Sequence, residues 1–230
     1  YSGGDPDLAP LHKIGTDAWS KAKRKALEQI HDVAAELLHI QARRQSKPGF
    51  GFEVDQSLYM QFASGFAYEE TLDQANAIEA TLYDMQQAKP MDRLVCGDVG
   101  FGKTEVAMNA IFATVKGGYQ ALLVVPTTLL SSQHYHTLHD RLHSYGIRIA
   151  KLDRFVTAKE KNATLKLLKS GDIDCIIGTH ALFGIECAKL GLVVIDEEHK
   201  FGVKQKEKLK SLYENVHLLS MSATPIPRSL

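Results

Sequence analysis

One stretch limits this chain more than any other: Gly97-Asp98-Val99-Gly100-Phe101-Gly102-Lys103-Thr104. It follows the apolar run Leu94-Val95-Cys96 and precedes a helical pattern from Glu105 to Val115. The spacing fits G-x-x-x-x-G-K-S/T at every fixed position, in the strand–loop–helix context that a phosphate-binding loop needs. Glycines let the backbone N–H groups turn inward and form a concave anion site. The N-terminus of the next helix adds the positive end of its dipole. Lys103 can reach the β- and γ-phosphates of a nucleotide, and Thr104 can offer its hydroxyl to Mg²⁺.

The rest of the chain supplies the sheet that such a loop requires. Short apolar runs at Leu94–Cys96, Ala121–Val125, Ile147–Leu152, Cys175–Ile177, Val193–Ile195 and Leu218–Met221 alternate with helical patterns over about 103–116, 129–144, 157–170 and 203–213. This alternation with nearly continuous apolar strands predicts an α/β domain with a parallel sheet covered on both faces. Ligands then bind at the carboxyl ends of the strands. Upstream, residues 1–15 are rich in Gly, Pro and Asp and carry no periodicity. Asp17 opens a helical stretch to about Gln45, whose apolar stripe includes Leu27, Ile30, Val33, Leu37, Leu38 and Ile40. Such a stripe must pack on the main domain or connect two domains. Asp55 starts a short helix anchored by Leu58, Tyr59 and Phe62, and Thr71 with Gln74 forms a capping box for the next one. The predicted organisation is a leading tail (1–16), a helical linker (17–64) and the nucleotide-binding domain (65–230).

Two further strand ends carry chemistry. Leu192-Val193-Val194-Ile195 runs into Asp196-Glu197-Glu198-His199, which puts acids beside the glycine loop. Asp196 is placed to hold Mg²⁺ through water, and Glu197 to take a proton from the attacking water. Ser222-Ala223-Thr224 follows Leu218–Met221, and its hydroxyls could link the nucleotide site to a bound strand, with a simple helix-capping turn as the alternative. Pro126-Thr127-Thr128 and Gly178-Thr179-His180 end two more strands; they suit phosphate contacts to a duplex, with helix capping by Thr128 and Thr179 an equal alternative. His134, His136, His139 and His143 crowd one segment, and a solvated or partly packed helix face is preferred over a metal site. Cys96 abuts the glycine loop and could be redox-sensitive, but a small buried strand residue is the preferred reading.

Composition narrows the setting. The 230 residues are 44% hydrophobic and 23% charged, with zero formal net charge, so no global basic field drives nucleic-acid binding and any such contact must be local. Three cysteines without a C-x-x-C pair fit a reducing, cytoplasmic setting. No apolar run approaches the ~18 residues of a membrane span. The opening Tyr1-Ser2-Gly3-Gly4 and the ending Ser229-Leu230, directly after a motif, lead to the expectation of a piece of a longer protein. A monomer is expected.

In this order the motifs resemble the first RecA-like motor domain of a superfamily 2 helicase, a P-loop NTPase. Gly97–Thr104 resembles motif I, Pro126-Thr127-Thr128 with Gln133 motif Ia, Asp196–His199 motif II and Ser222–Thr224 motif III, with Gly178-Thr179-His180 as a further DNA-contacting motif. Met221-Ser222-Ala223-Thr224-Pro225-Ile226-Pro227-Arg228 narrows the resemblance to the RecG-like translocases. Asp92–Ala107, with Phe101 in the loop, and Leu11–Trp19 are most similar to the members that couple transcription to repair. That resemblance implies ATP and Mg²⁺ as cofactors, double-stranded DNA as track, and RNA polymerase and nucleotide excision repair proteins as partners through other domains. It implies a nucleotide site of Phe66, Tyr68, Gln74, the loop Gly97–Thr104 and Glu105, with Lys103, Asp196 and Glu197 catalytic and Thr104 and Asp196 at the metal. Gln74 would read adenine, and either Phe66 or Tyr68 would cover its ring. His199 joins the coupling residues, and Arg154-Phe155 resembles an Arg-Phe motif of the family. Family members carry arginine fingers on a second motor domain, so this chain by itself is expected to bind nucleotide but hydrolyse it negligibly. Branched-DNA remodelling and a nucleotide-gated docking module are the alternative functions.

Overall fold

The computed structural model describes residues 17–49, 51–53 and 55–223. The chain divides into two compact units, Tyr1–Ala42 and Arg43–Leu230. In the first unit the described residues belong to helix α1 (Asp17–Ser46). Leu27, Ile30 and Leu38 are exposed on that helix, and Arg24 and Glu28 pair one turn apart.

The second unit is built on a six-stranded, all-parallel sheet. Its strands are β1 (Asp92–Cys96), β2 (Gln120–Val124), β3 (Ile149–Leu152), β4 (Cys175–Gly178), β5 (Leu190–Ile195) and β6 (His217–Ser222), in the order β1-β6-β5-β2-β4-β3. The period-2 pattern of the apolar runs sorts their side chains between two cores. Ala121, Leu123, Val125, Cys175, Ile177, Leu192, Val194, Leu219 and Met221 face one core, with α2 (Gln56–Ser64), α3 (Leu72–Gln86), α4 (Lys103–Lys116) and α5 (Thr128–Leu142). Leu122, Val124, Ile176, Val193, Ile195 and Leu218 face the other, with α6 (Ala158–Ser170) and α7 (Val203–Leu212). Phe62 of α2 stacks on Phe112 of α4 at 4.1 Å between ring centroids, so the short helix is fastened to the glycine-loop helix by its predicted anchor. At the opposite end of the sheet from the glycine loop, the buried Arg44 donates to the carbonyls of Tyr213, Met91 and Val216.

Cys96 corrects one expectation. It is exposed, because β1 is an edge strand with β6 as its single neighbour in the sheet, and its residues alternate between exposed and half-buried. Cys175 and Cys187 are also free thiols, and burial pushes each up to about 12. Among the described residues, no helix is long and apolar enough to cross a membrane.

The register brings the strand ends level. Cys96 lies opposite Ser222, Ser220 opposite Ile195, Ile195 opposite Val124, and Val124 opposite Gly178. Because all six strands run the same way, the loops that leave them emerge along one edge of the sheet.

Candidate active site

The glycine loop spans the turn between β1 and α4. Gly100 and Gly102 hold φ of +88° and +73°, a left-handed backbone that other residues adopt at a cost. At Gly102 a second constraint applies, since a Cβ there would sit 2.2 Å from Gln74 Nε2. The Lys103 ammonium is folded into the loop, where Nζ donates to the carbonyls of Gly97 (2.6 Å) and Asp98 (2.9 Å). Asp98, Val99 and Phe101 face outward, the last two 82% and 63% exposed. A cleft of about 110 Å³ on one side of the loop is bordered by Thr71, Gln74, Cys96 and Lys103. On the other side a cleft of about 360 Å³ brings together Thr104, Gln133, His134, Asp196 and Glu197.

Gln74 forms the predicted capping box: its Oε1 accepts from Thr71 N–H at 2.8 Å, and its own N–H donates to Thr71 Oγ1. Its Nε2 also donates to the carbonyl of Phe101 at 2.8 Å, so one amide ties the start of α3 to the glycine loop. The two candidate aromatics differ in setting. Phe66 is half-buried, with the Arg141 guanidinium 5.2 Å from its ring centroid. Tyr68 is 77% exposed and meets the Phe66 ring edge-on at 5.7 Å.

Glu105 follows the loop yet turns away from it. Its carboxylate is buried and accepts from Arg141 at 3.0 and 3.2 Å and from Asn109 at 3.2 Å. Burial pushes its carboxyl above the ordinary value of 4.5, and Arg141 pulls it back down. Arg141 also donates to the carbonyl of Phe62 and lies over that ring at 4.8 Å. The pair therefore fastens α5 to α4 and to the segment carrying Phe66.

Asp196 leaves β5 almost fully buried. Its Oδ1 accepts from Glu197 N–H at 2.9 Å, and its Oδ2 lies 2.8 Å from His134 Nε2. Glu197 has φ +52°, the one non-glycine left-handed residue among those described. Strained backbone of this kind costs of order 1–3 kcal/mol and is held only where the surroundings enforce it. Its carboxylate lies 3.2 Å from His199 Nε2, while His199 Nδ1 is 3.3 Å from Ser222 Oγ. Glu197, just after β5, and the hydroxyl ending β6 are thus joined through one histidine. Ala223 follows half-buried, and Thr224 lies outside the described residues.

The remaining strand-end motifs occupy the same edge. Pro126 is half-buried and Gln133 is exposed on α5. Thr127 caps α5, accepting from Leu130 N–H at 3.2 Å; the capping alternative placed that role at Thr128, which is instead the first helical residue. Thr179 is buried and makes no side-chain cap, whereas His180 is exposed. Gly178 has a steric role, because a Cβ there would come within 2.3 Å of the Leu152 carbonyl oxygen on the neighbouring strand. Arg154 lies over the exposed Phe155 ring at 4.9 Å. Of the four histidines on or just after α5, His134 is buried, whereas His139 and His143 approach to 5.0 Å between rings. Among the described residues no group of three or more His, Cys, Asp or Glu could hold a metal ion. Thr104 and Asp196 supply hard oxygen donors to one cleft, which suits a Mg²⁺ that keeps part of its water shell.

A parallel sheet with a phosphate loop after one strand and acids after another defines a RecA-like P-loop NTPase domain. A family model described as DEAD/DEAH box helicase matches residues 71–230, and the chain belongs to that family. Among curated proteins the chain is similar to transcription-repair-coupling factors. It is 52% identical to that of Haemophilus influenzae and 51% identical to that of Escherichia coli, each over 232 residues. The Bacillus subtilis protein is 44% identical. Each match covers 100% of this chain and 20% of the relative, so the chain spans about a fifth of the length of these proteins. A solved structure of RecG bound to three-way DNA junction is 37% identical with a TM-score of 0.71, covering 86% of this chain and 27% of that one. The UvsW helicase from bacteriophage T4, at 16% identity and TM-score 0.56, shares the fold. The resemblance carried by the glycine loop and by the segment from Met221 to Arg228 is borne out.

Proposed function

We propose that this chain is the ATP-binding half of a double-stranded DNA translocase that displaces stalled RNA polymerase and couples transcription to nucleotide excision repair. The observation that carries this reading is the shared cleft of Lys103, Thr104, Asp196 and Glu197 in a chain 44–52% identical to transcription-repair-coupling factors. Residues 65–230 are the motor half-domain, 17–64 a helical linker and 1–16 the end of a preceding domain. The expected setting is cytoplasmic.

In this reading the amide groups of Gly97–Thr104 cradle the phosphates, and Lys103 exchanges its two loop carbonyls for phosphate oxygens. Thr104 and Asp196 would hold Mg²⁺, which when bound neutralises charge on the phosphates. Glu197 orients the attacking water and takes its proton. Gln74 contacts adenine while remaining bonded to the loop, and Phe66 or Tyr68 covers the ring. Pro126, Thr127, Thr128, Gln133, Gly178, Thr179 and His180 meet the duplex backbone, positioning it without reading sequence. Ser222, Ala223 and Thr224, through His199, link that surface to Glu197, a link supported by the 3.3 Å approach of His199 to Ser222. An arginine finger from a second motor domain is worth roughly 10³–10⁵ in rate in other phosphoryl-transfer systems. The chain alone therefore turns ATP over negligibly.

The test uses the full-length protein on a stalled transcription complex and on a three-way DNA junction. ATP-dependent release of polymerase is the expected result. Retained junction remodelling without polymerase release would move the assignment to the branched-DNA alternative that the RecG likeness favours.

A further inference from the structure

His134 stands apart from the other histidines of its segment. It is 8% exposed, and its Nε2 meets Asp196 Oδ2 at 2.8 Å across 62 residues of sequence. Leu130, Gln133 and Thr137, on the same side of α5, border the cleft that holds Thr104 and Asp196. The other oxygen of Asp196 is engaged by Glu197 N–H. A carboxylate held by one donor on each oxygen cannot rotate about either side-chain torsion without breaking a bond. A carboxylate that holds hydrated Mg²⁺ is ionised and only accepts, so in that state the imidazole presents Nε2–H to it. Each oxygen keeps a second acceptor site for a metal-bound water.

We propose that His134 is a positioning residue for Asp196, holding the acid in the orientation that receives hydrated Mg²⁺ and so setting the metal-dependent part of nucleotide affinity. This rests on the assignment of Thr104 and Asp196 to the metal. Partners that orient the groups around a metal typically contribute 10–100-fold in affinity. A histidine that merely fills space would affect stability and leave the metal dependence alone. The arrangement also places a residue of α5, whose N-terminal end carries Thr127 and Thr128, in direct contact with the acid.

The experiment measures ATP binding by the whole chain in EDTA and in Mg²⁺, for the wild type, His134→Ala, His134→Gln and Lys103→Ala. The ratio of the two affinities is the Mg²⁺ enhancement. His134→Ala is expected to reduce that enhancement by about 10–100-fold while affinity in EDTA is unchanged. His134→Gln, whose amide can still donate, restores most of it. An unchanged enhancement in folded His134→Ala overturns the proposal. Lys103→Ala separates the two levels: wild-type binding that this substitution does not weaken would remove the nucleotide site itself, and the inference with it. Nitrogen NMR of the wild-type imidazole needs no variant to fold. A proton on Nε2 supports the proposal; a bare Nε2 overturns it.

Discussion

Glu197→Gln in the full-length protein is expected to bind ATP as the wild type does, while duplex-stimulated hydrolysis falls by roughly 10²–10⁴-fold, the usual worth of a general base. The substitution keeps the shape of the side chain, whose carboxylate lies 3.2 Å from His199 Nε2, but an amide cannot take the proton of the attacking water. The left-handed backbone at residue 197 is equally strained for either side chain, so the fold is not the variable. Gel-based translocation and phosphate release measure the outcome. Undiminished motor activity would instead favour a nucleotide-gated docking module with hydrolysis elsewhere. The same comparison made with Ser222→Ala reports on the link through His199, since that hydroxyl meets the ring that faces Glu197.

Arg141→Met is expected to destabilise the domain by about 3–5 kcal/mol, as breaking one side of a buried ion pair does. Glu105 would keep its burial and lose both guanidinium bonds. The loss of the cation over the Phe62 and Phe66 rings adds to this. The deficit depends on pH in a direction set by Glu105. Burial already raises its folded-state pKa above 4.5, and Arg141 opposes that rise, so the variant raises it further. A carboxyl with a raised folded-state pKa favours the fold below its unfolded value and loses that contribution as pH rises through the folded one. The variant should therefore be nearest to wild-type stability at acid pH and lose ground as pH rises from about 4.5. Urea unfolding across pH tests this, and Glu105→Gln in the variant background should recover much of the loss at neutral pH. A small, pH-independent deficit would contradict the account.

Much of the site was legible because its parts are local. A strand, a glycine loop and a helix start occupy adjacent residues at Leu94–Val115, and the acids of Asp196 and Glu197 follow directly on an apolar run. The Thr71–Gln74 capping box is a signal of four consecutive residues, and it forms as read. What local pattern could not carry was strand order. Pairing of β1 with β6 joins residues far apart in the chain and leaves β1 at an edge, which is why Cys96 is exposed and not buried. The two contacts that shape the acids are equally non-local. His134 meets Asp196, and Arg141 meets Glu105, across 62 and 36 residues. The run of histidines drew attention to the right helix, but the role of His134 required knowing which turn of α5 faces β5. The bond from Gln74 to the Phe101 carbonyl was likewise invisible, because a glutamine amide has capacity beyond its cap.

The most direct test of the central claim is calorimetry of ATP binding to this chain with and without Mg²⁺, beside Lys103→Ala, followed by phosphate release. The account predicts binding by the wild type, its loss in Lys103→Ala and negligible turnover. Absence of binding by the wild type, or equal binding by the variant, would contradict it.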